Sequence, residues 1–291
     1  MIGVRSDWRA QGCAALFFDA RGARRWLRLP EWREFGVIDA VPKNGAIFAL
    51  TESGAVLHFA LSKSPRKQPA DALVLDGQRA SPLVPAGFEA SSTVLAGNGS
   101  FLLSCAFGGV RVLPLGADWA AGEAAAETWR GGETVKRVAS DGAKLVAVSD
   151  EDDVWVASLG AAKPQLEFEL RLKSASVREV GLSAKSQLLG VLGSDGDVHL
   201  FSLFDGSFLR TLHAKGAVRV FCMTHTGSVL TVSEGSRTLQ HFDQVNQLIA
   251  EVELPFDPDR IRTTEDTRLV IVEGERGTEV RDLRNLKVFQ C

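Results

Sequence analysis

Carboxylate side chains grouped beside tight turns are the residues of this chain whose type and spacing most clearly suggest a binding site. Their densest run is Asp150-Glu151-Asp152-Asp153. Hard cations bind several carboxylate oxygens at once, but this run lacks the central glycine and the later glutamate of an EF-hand loop. A solvated acidic hairpin tip is therefore the favoured interpretation of the run.

Carboxylates also occupy the same kind of loop, after an apolar run, in five separate stretches of the chain. They are Glu52; Asp150, Glu151, Asp152 and Asp153; Asp195 and Asp197; Glu234; and Glu273 with Glu275. If these stretches are repeats that stack side by side, the loops lie on one face, here called the acidic rim. Such a rim is suited to a basic protein partner. Asp and Glu are also good turn formers, which is an equally good explanation.

Other arrangements that could support chemistry are incomplete. Cys222 and His225 have C-x-x-H spacing, but two further metal ligands at suitable spacing are missing. The segment Gly181–Lys185 lacks the second glycine of a nucleophile elbow. Gly97-Asn98-Gly99 has neither the third glycine nor the helix of a phosphate-binding loop. We therefore expect no catalytic site, no metal and no cofactor.

Two short basic segments could contact phosphate groups. They are Ser62–Lys67 and the cluster of Arg21, Arg24, Arg25 and Arg28. The only aromatic residue beside them is Trp26, which is expected to pack between strands and not to stack on bases. The net charge of −3 and the pI near 6.0 provide no global basic field. Solvated loop charge is favoured, and nucleic acid is not expected as a direct ligand.

The composition indicates a globular protein with a large core. Of the 291 residues, 45% are hydrophobic and 24% are charged. The four cysteines are scattered without a CxxC pair, which favours free thiols in a reducing compartment. Neither a signal peptide nor an apolar run of membrane-spanning length is present. We expect an intracellular protein, cytoplasmic or nuclear, without membrane insertion.

The stretch Val177–Leu212 gives the pattern of the elements that hold these residues. Its β-like runs are joined by tight turns, two of which contain Asp-Gly, a strong hairpin signal. The four runs are Val177–Leu182, Leu188–Leu192, Val198–Phe201 and Phe208–Leu212. Four strands in about 40 residues form the unit of a β-propeller blade.

The same unit recurs along the chain. The last large residues of the third strands align at Phe18, Phe59, Leu113, Ala157, Phe201, Phe242 and Arg281, with spacings of 41, 54, 44, 44, 41 and 39 residues. This period predicts an all-β fold, a seven-bladed β-propeller of four-stranded antiparallel blades in one domain, residues 1–291. The fourth strand of the second unit is expected at Ala72–Leu75, and that of the third lies near Gly116–Ala126.

The first unit is expected to be one strand short. Its third and fourth strands are predicted at Ala14–Asp19 and Arg25–Leu29, and the residues before Ala14 suffice for only one more strand. The exposed edge would then be open to a partner's strand, with Phe17 as a candidate contact residue.

Several segments resemble the WD40-repeat family. At the position of the family's Trp-Asp pair stand Val198-His199-Leu200-Phe201-Ser202, Phe242-Asp243, Phe18-Asp19, Arg281-Asp282 and Phe59-Ala60. His213-Ala214-Lys215-Gly216 is the nearest equivalent of its Gly-His dipeptide. Because no Trp-Asp pair is complete, the family's buried Asp–His–Ser–Trp network is not carried over. RCC1-type propellers are a second candidate, on the segment Ala46–Gly54.

The resemblance implies a non-catalytic scaffold that mediates protein–protein interactions as a subunit of a larger complex. The incomplete first blade is similar to the open propellers of the Sec13-like branch of the WD40 family. Two alternatives remain open at this point. One is an RNA-associated accessory subunit of an RNA-processing or ribonucleoprotein complex, and the other is a propeller enzyme with a site at the mouth of the central channel.

Overall fold

A computed structural model describes most of the chain from residue 108 onward with side chains, and the preceding strands as backbone. The described residues are 14–18, 24–28, 37–43, 46–51, 56–60, 72–74, 82–84, 92–96, 101–106, 108–114, 127–141, 143–159, 164–173, 175–183, 185–263, 268–274 and 277–288. At 14–106, 113, 114, 127, 277 and 278 only the backbone is described.

The described strands of the first part of the chain form three sheets. One contains β1 (Ala14–Phe18), β2 (Arg24–Arg28) and β6 (Ala72–Val74). The next contains β3 (Val37–Lys43), β4 (Ala46–Thr51), β5 (Val56–Ala60) and β7 (Pro82–Val84). The third contains β8 (Ser92–Ala96), β9 (Phe101–Ala106), β10 (Gly109–Pro114) and β11 (Glu127–Trp129).

The remaining strands form sheets in strict chain order. The first of these comprises β12 (Val135–Ser140), β13 (Lys144–Ser149), β14 (Asp153–Leu159) and β15 (Pro164–Arg171). It is followed by β16 (Val177–Ser183), β17 (Leu188–Gly193), β18 (Val198–Ser202) and β19 (Phe208–Leu212). Then come β20 (Val218–Met223), β21 (Val229–Ser233), β22 (Thr238–Phe242) and β23 (Leu248–Glu253). The last comprises β24 (Arg260–Thr263), β25 (Leu269–Gly274) and β26 (Gly277–Asp282).

This arrangement is that of an all-β, propeller-like stack of antiparallel blades. Within each of the later sheets the strands follow one another as a meander, and the first strands β12, β16, β20 and β24 contact each other in succession. The second strands are the most buried, as in β17, where every residue is buried. The fourth strands are largely exposed, as in β23. The first strands therefore lie toward the centre and the fourth strands at the periphery.

The core lies between neighbouring sheets, not within one sheet. Val146 and Val156 of one sheet share a cluster with Val180 and Leu189 of the next. Similar clusters join the sheet of β16–β19 to that of β20–β23, and that sheet to β24–β26. Because the sheets of β12–β15, β16–β19 and β20–β23 each bury a face against both neighbours, these sheets stabilise one another, as in repeat architectures.

Three fourth strands differ from the sequence-based expectation. Residues 72–74 do not complete the second sheet but pair in parallel with β2, and β7 pairs with β5 in their stead. The third sheet is completed by β11, which follows the segment predicted from Gly116 to Ala126. The last sheet has only a bridge between Arg281 and Val288 where a strand was expected. Long or irregular insertions hide such pairings because period-2 patterns specify strands but not their partners.

The first sheet contains the predicted pair of β1 and β2. Phe17 is paired with Arg25 in its backbone register, and its side chain lies outside the described residues. Met1–Ala10 likewise lies outside them. Within the described part of the chain, no helix has both the length and the apolar character to span a bilayer.

Candidate functional site

A β-bulge recurs near the start of the first strand in successive sheets. The pairing register shifts between Val135 and Arg137, between Val177 and Glu179, and between Val218 and Val220. The three valines are buried, and the bulged residue in each case is basic: Lys136, Arg178 or Arg219. A bulge places its extra residue out of the ladder, which leaves these side chains available for contacts between sheets.

Each of these basic residues helps to join its sheet to the next one. Arg178 Nη1 contacts the Val218 carbonyl oxygen at 3.4 Å, in the next first strand, and Glu234 Oε1 at 2.9 Å. Arg219 Nη2 donates to the carbonyl of Pro258, just before the following first strand, at 2.6 Å. We call these contacts the bulge latches.

Lys136 forms the equivalent latch through a carboxylate of the acidic rim. It donates to Asp152, and the same carboxylate oxygen accepts the backbone N–H of Val177 from the next sheet at 2.8 Å. Partial burial would raise the pKa of Asp152, but the hydrogen bonds from Lys136 and Val177 outweigh it and hold this pKa below its ordinary value. Asp152 also has a positive φ of 69°. Its main interactions are internal and link two sheets.

The other carboxylates of this hairpin divide between a cross-strand pair and solvent. Asp153 lies opposite Arg171 in the strand register, and Arg171 Nε donates to it at 2.7 Å. Glu151 lies 3.5 Å from the same guanidinium. Asp150 is exposed, and only its backbone N–H bonds to Thr134. Asp150 is therefore the carboxylate of this run that is available for an external contact.

The carboxylates of the later turns also have local cationic or imidazole neighbours. Asp195 Oδ2 lies 2.9 Å from His199 Nε2, and Asp197 Oδ2 lies 2.9 Å from His213 Nδ1. Glu234 is the partner of Arg178 described above, and Glu273 Oε2 lies 3.4 Å from Arg262 Nε. Glu52 and Glu275 lie outside the described residues.

The described rim residues thus share one face of the sheets, because each lies in or next to a turn between a second and a third strand. Lys136, Arg171, Arg178 and Arg262 offset part of their negative charge. Surface ion pairs of this kind contribute little to stability, about 0–1 kcal/mol each. The rim is a mosaic of both signs, and a docking role for it remains a prediction.

Glu179 is a second charged feature, on the first strand β16. Its side chain keeps solvent contact, yet crowding by neighbouring atoms desolvates it. This desolvation raises the pKa of Glu179, although the positive charges of Arg137 and Arg260 oppose the rise. Among the described residues, no group of three or more His, Cys, Asp or Glu side chains could hold a metal ion.

Large apolar side chains are exposed along the periphery of two successive sheets. Phe204 is 83% exposed in the turn before β19, and Val245 is 66% exposed in the turn before β23. The fourth strands add Phe208 and Leu209 in β19, and Leu248 and Ile249 in β23. Asn246 joins the two halves, because its Nδ2 donates to the Thr211 carbonyl of β19 at 3.2 Å. We call these six apolar residues the outer ridge.

In the last three sheets, the third-strand positions aligned from the sequence are buried. Phe201, Phe242 and Arg281 are 7%, 6% and 5% exposed. Arg281 takes this place in the last sheet because its charge is satisfied locally: Nη1 donates to the Leu286 carbonyl at 2.7 Å, and Nη2 donates to Glu279. A buried arginine is tolerated only with such partners.

Two groups of residues were not anticipated from the sequence. The bulge latches have a readable signal, the repeated Val-Lys or Val-Arg at residues 135–136, 177–178 and 218–219. The outer ridge has none, because exposed and buried apolar residues look alike where a bulge shifts the alternation of a strand.

No protein-family model matches the chain, and no curated protein matches it.

Proposed function

We propose that the chain is a non-catalytic seven-bladed propeller of the WD40 type, spanning residues 1–291, with a first blade that is completed either by the chain itself or by a partner's strand. It serves as a protein–protein interaction scaffold within a larger complex. The third-strand spacing near 40 residues and the succession of meander sheets support the ring. RCC1-type propellers are a weaker fit because their repeats are nearer 50 residues and richer in glycine.

The outer ridge is the observation that carries the scaffold function. Six large apolar side chains lie along two adjacent fourth strands and the turns before them, and they are exposed to water in the isolated chain. A partner protein that binds there would remove this apolar surface from water. Contiguous exposed apolar surface on a folded protein marks an interaction site. Aromatic residues such as Phe204 and Phe208 are the types enriched at the energetic centres of interfaces.

Purification of the tagged chain from its own cells tests this function. We expect stoichiometric protein partners with the wild type and their loss in the double variant Phe204→Ser, Leu248→Ser. Lys173→Ser serves as the control, because Lys173 is exposed in the connection between β15 and β16 and belongs neither to the outer ridge nor to a bulge latch. A wild-type protein that purifies alone, or partners that the double variant retains in full, would contradict the proposal.

A basic partner for the acidic rim is a separate proposal, and Asp150 is the residue with which to test it. Asp150→Lys reverses an exposed charge without breaking a latch. If the rim docks a basic surface, association should weaken several-fold in this variant. For the wild type it should also weaken as salt rises, because exposed charges are screened over about 8 Å at physiological ionic strength. Binding that is insensitive to both changes leaves only the turn-forming role.

A further inference from the structure

The space between a fourth strand and the next sheet, here called a junction, is occupied by different side chains in successive sheets. In each of three sheets a bulge interrupts the pairing of the third and fourth strands. The fourth-strand residues that pair just before this bulge occupy equivalent positions in the three sheets. This residue is Phe168 in β15, Arg210 in β19 and Ala250 in β23.

The first two junctions are closed by the chain itself. A Cβ at Gly206, in the turn of the following sheet, would lie 2.7 Å from the ring of Phe168, so the ring lies directly against that turn. Arg210 Nε donates to Asn246 Oδ1, in the turn of the sheet after it, at 3.3 Å. One junction is filled by an aromatic ring and the other by a polar head group.

The third junction, where the small Ala250 takes the equivalent position, is open to solvent. A cavity of about 620 Å³ lies there between the sheet of β20–β23 and the turn after β26. Its buried lining comprises Ser228, His241 and Leu283, and its more exposed lining combines the apolar Val245 and Ile249 with the polar Gln244 and Arg284. This volume is within the range of ligand pockets, about 300–1,000 Å³.

His241, at the inner end of the cavity, has one ring nitrogen in contact with a hydroxyl and the other buried without a hydrogen bond of good geometry among the described residues. Its Nε2 lies 2.9 Å from Ser228 Oγ, which lies 2.8 Å from Thr224 Oγ1. Its Nδ1 is buried and has no hydrogen bond of good geometry within the described part of the chain. Burial lowers the pKa of His241, although the Leu283 backbone and the Asp243 carboxylate favour the charged ring. The imidazole is therefore neutral near pH 7, and a hydroxyl suits Nδ1 in either tautomer because it both donates and accepts.

We propose that this cavity receives a tyrosine side chain from a partner protein. The apolar residues surround the ring, and the phenolic hydroxyl meets His241 and Ser228. One tyrosine side chain thus supplies both an aromatic ring, as Phe168 does in the first junction, and a polar group, as Arg210 does in the second. Tyrosine has this apolar body and polar tip, and it is frequent among interface anchors. A carboxylate or phosphate would meet the charge of Asp243 and a neutral imidazole, and the guanidinium of Arg284 in the lining is already paired with Asp282. A purely apolar group would leave Nδ1 unpaired.

The chain contains no tyrosine, so the side chain comes from another protein. A protein source also explains the apolar surface beside the cavity, because Ile249 and Val245 belong both to its lining and to the outer ridge. This inference rests on the proposed scaffold function and names the chemistry by which a partner is held.

The test compares p-cresol, the tyrosine side chain, with toluene, which lacks only the hydroxyl, by ligand-observed NMR on the full chain. We expect p-cresol to bind at least about tenfold more tightly, since losing a buried hydrogen bond costs about 1.4 kcal/mol or more. His241→Leu, which introduces the residue found at the equivalent Leu200, should abolish this preference. Ala250→Phe should block both probes, and the ridge variant Phe204→Ser should bind as the wild type does.

Equal binding of the two probes, no binding of either, or an undiminished preference in His241→Leu would each overturn the proposal. Circular dichroism confirms that each variant is folded before it is compared. The outcome is separable from that of the scaffold function, which is tested by whether the wild-type protein brings partners from its cells and whether the double ridge variant loses them. Partners that both His241→Leu and Ala250→Phe retain at full strength would overturn the tyrosine site and leave the scaffold in place.

Discussion

At the scale of single residues, the groups with the most distinctive electrostatics hold the protein together. Asp152 accepts hydrogen bonds from two sheets, and Arg281 is buried with its charge satisfied by Glu279 and a carbonyl. Cys222 is partly buried on a first strand, and desolvation by the surrounding atoms raises the pKa of its thiol to about 11. Such a thiol is protonated and inert at neutral pH, which fits a structural role.

Asp152→Asn should lower the free energy of unfolding by about 1.5–3 kcal/mol at pH 7, the usual range for hydrogen bonds to a charged group. Because the folded pKa of Asp152 lies below its ordinary value, this contribution is complete above about pH 4. It is lost as the pH falls through the folded pKa. Urea denaturation of wild type and variant at several pH values should show the difference shrinking toward low pH. The control Asp150→Asn should differ little from the wild type at any pH.

His241 should make the wild-type protein less stable in mild acid. Its folded pKa is lowered by burial, so below about pH 6.5 the unfolded chain binds a proton before the folded protein does. Stability should therefore fall from that pH downward, and His241→Leu should remove this part of the dependence. Thermal unfolding between pH 5 and 8 measures it. The exposed His225→Gln variant should retain the wild-type dependence, and a flat wild-type profile would contradict the prediction.

At the scale of elements, the sequence predicts strands well and their partners less well. The meander from Val177 to Leu212 was readable because its Asp-Gly turns and alternating runs coincide, and the structure has β16–β19 there. The parallel pairing of β6 with β2 was not readable, since nothing local distinguishes it from a fourth strand beside β5. The cavity at His241 depends on Ala250 and on the next sheet, so it required the three-dimensional register.

Gly206 tests how closely a turn approaches the preceding sheet. It has a positive φ of 74°, and an added Cβ would meet the Phe168 ring at 2.7 Å. Gly235 has a similar φ of 66° but open space around the same position. Gly235→Ala should lose only about 1 kcal/mol through backbone strain, whereas Gly206→Ala should lose about 1–3 kcal/mol more through overpacking. Chemical denaturation compares them, and equal losses would contradict the close contact.

At the scale of the whole molecule, stability comes from the contacts between sheets, so the ends of the series are its weakest points. Each described core cluster joins two consecutive sheets. Among the described residues, the sheet with β1 and β2 and the sheet with β24–β26 each have three strands, whereas the sheets between them have four. In architectures built from repeats, the terminal units depend most on what completes them.

Hydrogen exchange in Ala14–Phe18 distinguishes two ways of completing the first sheet. Because β2 already pairs with one edge of β1, the test concerns the amides of Ala14–Phe18 that face away from β2. If a partner's strand pairs with that edge, these amides should exchange quickly in the isolated protein. Deletion of Met1–Ala10 should then leave partner binding intact, and Phe17→Asp should abolish it. If the chain closes its own ring, the amides should be protected and the deletion should lower the unfolding temperature, because closure removes exposed strand edges. Strong protection in the isolated wild type excludes the donated strand.

The bulge latches all point in the direction of synthesis. Arg178 and Arg219 bind groups that lie about one repeat later in the chain. Asp152, which accepts a hydrogen bond from Lys136, also accepts one from the backbone N–H of Val177, which is synthesised later. At about 5–20 residues per second, a ribosome needs about 2–8 seconds to supply each missing acceptor or donor. The latch cation or carboxylate of a newly synthesised sheet therefore has no partner in the next sheet until the ribosome has made that sheet. Shortening the chain from its C-terminal end should leave the last remaining sheet unlatched, whereas shortening it from the other end should not.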